Sequence, residues 1–271
     1  MYENIVELVG EKTGSTSIII GGVHGNEKCG VEALNKILPT LQIESGRVIF
    51  AYGNPKAIRE NVRFTEVNLN RIFRPDYELS DKEKQSYEYT RAKILKEYLD
   101  QADALLDIHA SSIPDSDKFI ICEKSANEVA QYLPIDTVVH GFDDFEFGST
   151  DYYMNLNGKI GICLECGYLG DDEAVLVAID SIFAFLNARN HISTNDQRAR
   201  VQNKIQIFKK YFTKTNRFTL AKEFSNFEIL EKDQLIGVDG EEEIRSEKKC
   251  VILFAHNGKN INDEVFLLGG I

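Results

Sequence analysis

Residues 17–30 read SIIIGGVHGNEKCG, and the sequence runs straight on into KCGVEALNKILPT at 28–40. An isoleucine run that ends on paired glycines and passes directly into a helical pattern describes a strand buried on both faces. Such strands read as continuous apolar runs rather than alternating ones, and they belong to sheets covered by helices on both sides. The first turn after such a strand faces the crevice beyond its carboxyl end, where α/β sheets build their sites. Here that turn carries His24 and Glu27, three residues apart.

The same grammar repeats along the chain. RVIFAYGNP (47–55) reads as a second buried strand, so the first eighty residues open with a β-α-β unit. Ser80 and Glu83 have the spacing of a capping box, predicting a long amphipathic helix that runs to about Gln101. DALLDIHA (103–110), KFIICE (118–123) and KIGICLECGY (159–168) are further strands, closed by a helix over DDEAVLVAIDSIFAFLNARN. Past a polar connection at 188–202 the texture becomes short β-like pieces separated by Gly, Asn and Asp turns, an all-β pattern. The expected fold is α/β: a mixed sheet flanked by helices over residues 1–195, followed by a small all-β domain over residues 196–271.

Composition removes several function classes. Against 31 Lys and Arg stand 43 Asp and Glu, for a net charge of −12, which repels nucleic acid and anionic membrane surfaces in the absence of a concentrated basic patch. No apolar run approaches the length that spans a bilayer, and MYENIVELVGEK lacks the apolar core of a secretory signal. Five cysteines without framework spacing fit free thiols in a reducing compartment. The expectation is a cytoplasmic protein with a small-molecule substrate, no nucleic acid and no membrane partner; a homo-oligomer stays open.

The polar residues at strand ends are few: His24 and Glu27, Asn54, His109 in LDIHA, and Glu165 in CLECG. Two histidines and a carboxylate are a known three-ligand set for catalytic zinc, which keeps its fourth position for water. His24, Glu27 and His109 supply that set, and glycines beside the first two let the backbone bend without a Cβ clash. Taken singly, His24 reads as a turn histidine and Glu27 as a helix N-terminal carboxylate; the third partner on another strand shifts the balance to a metal site. Glu165 sits in an apolar strand where an ionised carboxylate is costly unless compensated, so it is either a proton-transfer group or the inward partner of an arginine. Cys163 and Cys166 flank it at C-x-x-C spacing, but no second pair completes a thiolate site. Arg59, Arg63, Arg71 and Arg74 cluster in 53–75, suiting an anionic substrate or a solvated surface.

In this order, GGVHGNE, then NP-x-A with R-F and N-L-N-R-I-F, then LDIHAS, then LECG, the motifs resemble the succinylglutamate desuccinylase and aspartoacylase family. The resemblance spans about residues 10–190. It implies a zinc carboxypeptidase-like catalytic domain followed by a small β domain. It further implies His24, Glu27 and His109 as ligands to one Zn2+ per chain, Glu165 as catalytic acid and base, and Arg63 as the oxyanion donor. Asn70 and Arg71 would hold the carboxylate of the amino-acid part of the substrate. The implied activity is hydrolysis of the amide bond of a small anionic N-acyl amino acid, N-acetylaspartate- or N-succinylglutamate-like. A carboxypeptidase or peptide amidase, and a non-catalytic zinc-binding relative, are the alternatives.

The chain also departs from the family pattern. Arg63 is followed by Phe64 where the family commonly has tyrosine, and Asn68 stands where it commonly has aspartate, removing an anion expected to orient the arginine. His256, in the carboxy-terminal FAHNGKN, matches no family motif, and Lys28 and Cys29 are assigned only to the start of a helix.

Overall fold

The computed structural model describes residues 5–114, 116–193 and 198–270, and it divides into two units. The first holds residues up to 138 together with 146–202; the second holds 139–145 and 203 onward. The expected boundary between residues 195 and 196, with part of the polar connection, lies outside the described residues.

The first unit is a mixed sheet with helices on both faces. Its elements are β1 (Val6–Val9), β2 (Lys12–Gly21), α1 (Lys28–Ile37), β3 (Ser45–Tyr52), α2 (Pro55–Glu60), α3 (Asp81–Lys84) and α4 (Tyr87–Leu99). They continue with β4 (Ala104–Ser111), β5 (Lys118–Cys122), α5 (Asn127–Ala130), α6 (Thr150–Leu156), β7 (Ile160–Tyr168) and α7 (Asp172–Ala188), while β6 (Thr137–His140) begins in this unit and ends in the other. The strand order is β1-β3-β2-β4-β7-β5-β6. β3, β2, β4 and β7 run parallel, while β1 and β5 pair antiparallel with β3 and β7. β2 is central, with β3 and β4 on its two sides, so the chain reverses its winding there and opens a crevice at the carboxyl ends of β2 and β4.

Alternation along the strands splits the core. Ile19, Leu106, Ile108, Ile162 and Leu164 pack with α1 and α7, whereas Ile18, Ile20, Ile49 and Leu105 pack with Ala92, Leu95 and Leu99 of α4 and Met154 of α6. On this second face of β4 and β7 lie Asp107, His109, Cys163 and Glu165, because strand side chains repeat with a period of two.

The long helix expected from Ser80 is broken. The Ser80–Glu83 capping box forms, but α3 ends after one turn and Ser86 caps a fresh helix by accepting from the Tyr89 amide. Two serine caps six residues apart divide the segment, since each hydroxyl competes for backbone donors that an uninterrupted helix would use. β1, β6 and α6 carry no signal strong enough to single out from sequence.

The second unit is all-β, with β8 (Asn203–Phe212), β9 (Phe218–Leu220), β10 (Glu228–Leu230), β11 (Leu235–Asp239), β12 (Glu242–Arg245), β13 (Cys250–Leu253) and β14 (Glu264–Gly270). β8, β14, β13 and β10 lie side by side, as do β12, β11 and β9. Tyr211, Phe218 and Phe266 form its aromatic core, with the Tyr211 and Phe266 rings stacked at 5.0 Å. Among the described residues no helix is long and apolar enough to cross a membrane.

A candidate metal centre at the carboxyl end of the sheet

Gly22, with φ of +76°, turns the chain out of β2, and the Glu27 amide donates to the His24 carbonyl to close the loop. Gly25 is required here for space: a Cβ would stand 2.1 Å from the Ala57 carbonyl carbon. That close approach brings α2 and the segment after it onto the loop, and the Gly25 amide donates to the Arg63 carbonyl at 3.2 Å. Asn54 has a structural task, with its Oδ1 accepting from the Ala57 amide to cap α2.

His24, Glu27 and His109 are all buried, at 4%, 3% and 2% exposure. Their ligand atoms lie within 4.8 Å of one another, a group that can hold a metal ion. Glu27 occupies the middle. Its Oε1 is 2.9 Å from His24 Nδ1 and its Oε2 2.9 Å from His109 Nδ1, and Oε2 also accepts from the Ala110 amide. Burial alone would raise the Glu27 carboxyl, but the two imidazoles hold it well below the usual carboxylate range. Burial dominates at His24 and pushes its pKa down; at His109 burial is outweighed by Asp107 and Glu27, and the pKa is raised.

The far nitrogen of each histidine is also engaged. His24 Nε2 is 3.0 Å from Asn68 Oδ1, and His109 Nε2 is 3.0 Å from Asp107 Oδ2, which also accepts from the Thr150 hydroxyl. Each ring thus meets an oxygen acceptor at Nε2 and a Glu27 oxygen at Nδ1; with Nε2 donating to the acceptor behind it, Nδ1 is the nitrogen that would offer its lone pair to a metal ion. Two neutral-capable imidazoles and a carboxylate, converging and braced from behind, fit a zinc ion by donor set.

Glu165 lies opposite His109 in the β4–β7 register, on the same face. Burial pushes its carboxyl up to about 7, with His109 and Arg63 opposing and Glu27 and Asp107 adding to the rise. Arg63 reaches the group from the loop side, Nη1 donating to Glu27 Oε1 at 2.7 Å with the side chain 48% exposed. Asn70 and Arg71 sit further along the same loop. Asn70 Oδ1 accepts from the Thr150 amide at 3.4 Å, and Arg71 donates to the Asn70 carbonyl at 2.8 Å and to Glu146 Oε2 at 2.5 Å.

Three features were not foreseen. Asn68 Oδ1 meets His24, and an anion from elsewhere in the chain, Glu146, meets Arg71. Asp107 was legible in principle, since D-x-H on a strand puts both side chains on one face. Glu146 lies in an irregular segment with no periodic signal. Cys163 and Cys166 are buried, and burial raises both thiols far above their ordinary range, which removes thiolate chemistry from the C-x-x-C spacing. His256, in the second unit, is exposed, its Nδ1 3.1 Å from the Asn257 carbonyl.

Residues 13–179 match the succinylglutamate desuccinylase/aspartoacylase catalytic domain. A succinylglutamate desuccinylase from Shewanella woodyi is 26% identical over 91% of this chain and 79% of its own length. Among solved structures, the chain is similar to the succinylglutamate desuccinylase of Vibrio cholerae at a TM-score of 0.82 and 19% identity, covering 98% of this chain and 85% of that one. It is also similar to the product-bound ectoine utilization protein EutE (DoeB) of Ruegeria pomeroyi at a TM-score of 0.75 and 18% identity, covering 98% and 88%. The domain match takes in the metal-competent group, Arg63, Asn70, Arg71 and Glu165 alike, and the chain belongs to the succinylglutamate desuccinylase/aspartoacylase family.

Proposed function

We propose that this protein is a zinc-dependent amidohydrolase that cleaves a small N-acyl amino acid into a carboxylate and a free amino acid. The observation that carries the reading is the buried His24–Glu27–His109 group with Glu165 one strand away on the same face. Family membership supports the hydrolase class, and relatives named as succinylglutamate desuccinylases support an acylated amino acid as substrate. The residues assigned to catalysis all fall in the first unit, and the all-β unit is a separate domain. Buried free cysteines fit a cytoplasmic setting.

His24, Glu27 and His109 would hold the zinc ion, which supplies a water acidified from 15.7 towards roughly 7 and a Lewis acid for the carbonyl. Glu165 takes the proton from the attacking water and returns it to the departing nitrogen, a task matched by a carboxyl raised to about 7. Arg63 turns its half-exposed guanidinium from Glu27 toward the carbonyl oxygen and donates to it as negative charge develops. Asn70 and Arg71 receive the substrate carboxylate, Arg71 being oriented by Glu146.

The test is hydrolysis of a panel of N-acetyl and N-succinyl amino acids against short peptides, with zinc measured on the same protein. Activity on the acyl amino acids, lost in Glu165→Gln with zinc retained, is expected. Preferential cleavage of peptides moves the assignment to a carboxypeptidase, and zinc loading with no turnover on either set overturns it.

A further inference from the structure

Residues 61–68 connect α2 to the Asn70–Arg71 pair with no helix or strand of their own, and their first four side chains are exposed. Such a segment has little apolar contact to fix it, yet it must present Arg63 at one end and Asn68 and Arg71 at the other. Its middle is gripped from below by one side chain. Glu88, in the first turn of α4, is fully buried, at 0% exposure. Its Oε1 accepts from the Thr65 amide and the Thr65 hydroxyl, both at 2.8 Å, and from the Glu66 amide at 3.4 Å. The Val67 amide donates to Oε2 at 3.4 Å, and Asn54 Nδ2 donates to Oε1 at 3.2 Å.

Position 88 heads the stripe continued by Ala92, Leu95 and Leu99, all buried against the sheet. An apolar residue would serve packing there; an ion is costly unless its acceptors are filled. The loop amides fill them. Asn54 joins the same carboxylate to the carboxyl end of β3, so the loop is referenced to the sheet that carries the metal-competent group.

We infer that Glu88 is a positioning residue, setting Arg63 through the Thr65–Val67 backbone that follows it. The inference rests on the reading of Arg63 as substrate-facing. Glu88→Gln keeps the size but loses the charge and turns an amide NH2 toward backbone donors. Loss of hydrogen bonds to a buried charge predicts a fall in kcat/KM of about tenfold or more, with zinc content unchanged. Hydrogen exchange of the Thr65 and Val67 amides should quicken by about tenfold while β2 and β4 keep their protection.

The discriminating measurement is a double-mutant cycle with Arg63→Ala. If Glu88 acts through Arg63, Glu88→Gln costs less than about threefold more in the Arg63→Ala background. Losses that multiply, wild-type turnover in Glu88→Gln, or zinc loss in it overturn the inference. Thr65→Val removes one donor and leaves the carboxylate; it should move turnover and exchange in the same direction by a smaller factor, and carries the test if Glu88→Gln does not fold. A wild-type protein inert to the acyl amino acid panel would sink the functional reading instead, and the exchange measurement would still decide whether Glu88 anchors the loop.

Discussion

Asp107→Asn is the substitution that tests most directly how the candidate metal centre is braced. Asp107 Oδ2 lies 3.0 Å from His109 Nε2; for two full charges at that distance and an effective dielectric of about 20, Coulomb's law gives an upper bound of roughly 5.5 kcal/mol. A metal-bound imidazole carries only part of a charge, and changes behind a ligating histidine typically weaken metal binding by about 10–100-fold, or ~1.4–2.7 kcal/mol. Asparagine keeps an oxygen for His109 and changes volume little, so the lower end, about tenfold, is expected. The fold should tolerate it. Buried Asp151 has its carboxyl pushed up by burial and by the Asp107 charge, and removing that charge relieves the repulsion and offsets part of the lost hydrogen bonding. Zinc affinity is read by competition with a chelator of known strength, with thermal unfolding of the metal-stripped protein as control. Wild-type affinity in Asp107→Asn refutes the bracing role. A midpoint drop beyond about 10 °C also refutes it, since several kcal/mol of fold destabilisation would then account for the weaker binding.

Arg63→Ala should retain zinc while kcat falls on the order of a hundredfold, the usual worth of an oxyanion donor; near-normal turnover assigns the carbonyl to another group. Gly25→Ala must push α2 from the loop, because the new Cβ would stand 2.1 Å from backbone. Overpacking of this kind costs about 1–3 kcal/mol, and both a lower Tm and weaker zinc binding are expected. A thiol reagent should leave all five buried cysteines unmodified until the chain unfolds; rapid reaction of any of them in the native protein contradicts their packing. Although burial opposes it, the loop hydrogen bonds hold the Glu88 pKa below its ordinary value of 4.5. Its contribution to stability is therefore fully present above the unfolded-state pKa and is lost as pH falls through the folded one. Urea midpoints measured from pH 6 down to pH 3 should fall less steeply in Glu88→Gln than in wild type, and equal slopes exclude Glu88 as a source of acid lability.

The strands of the parallel core were legible because they are buried on both faces: SIIIGG, RVIFAY, ALLDIHA and IGICLECG are apolar by necessity. β1 was not, since Val6–Val9 alternates half-buried and exposed residues at the sheet edge, where short charged strands resemble loops. The break between α3 and α4 hides for a related reason. Apolar spacing carries through it, and only the second serine cap, Ser86, shows that the backbone leaves the helix there.

At the site, sequence order alone brought His24, Glu27, His109 and Glu165 together, because each stands at a strand end in a pattern whose glycines and apolar flanks constrain the backbone. The residues that tune them follow a weaker rule. Asp107 is fixed by strand period, two positions before His109, and a reader who asks which side chains share His109's face finds it. Asn68, Glu88 and Glu146 act through irregular backbone, where spacing predicts no direction. Asn68 shows what that costs: read as a lost anion beside an arginine, it is in fact the acceptor on His24 Nε2, which an amide serves without adding charge. With a neutral acceptor behind His24 and a carboxylate behind His109, the two imidazoles differ in basicity. Asn68→Asp should raise zinc affinity toward the effect that Asp107 exerts on His109, and unchanged affinity would mean that the acceptor at His24 orients the ring without tuning it.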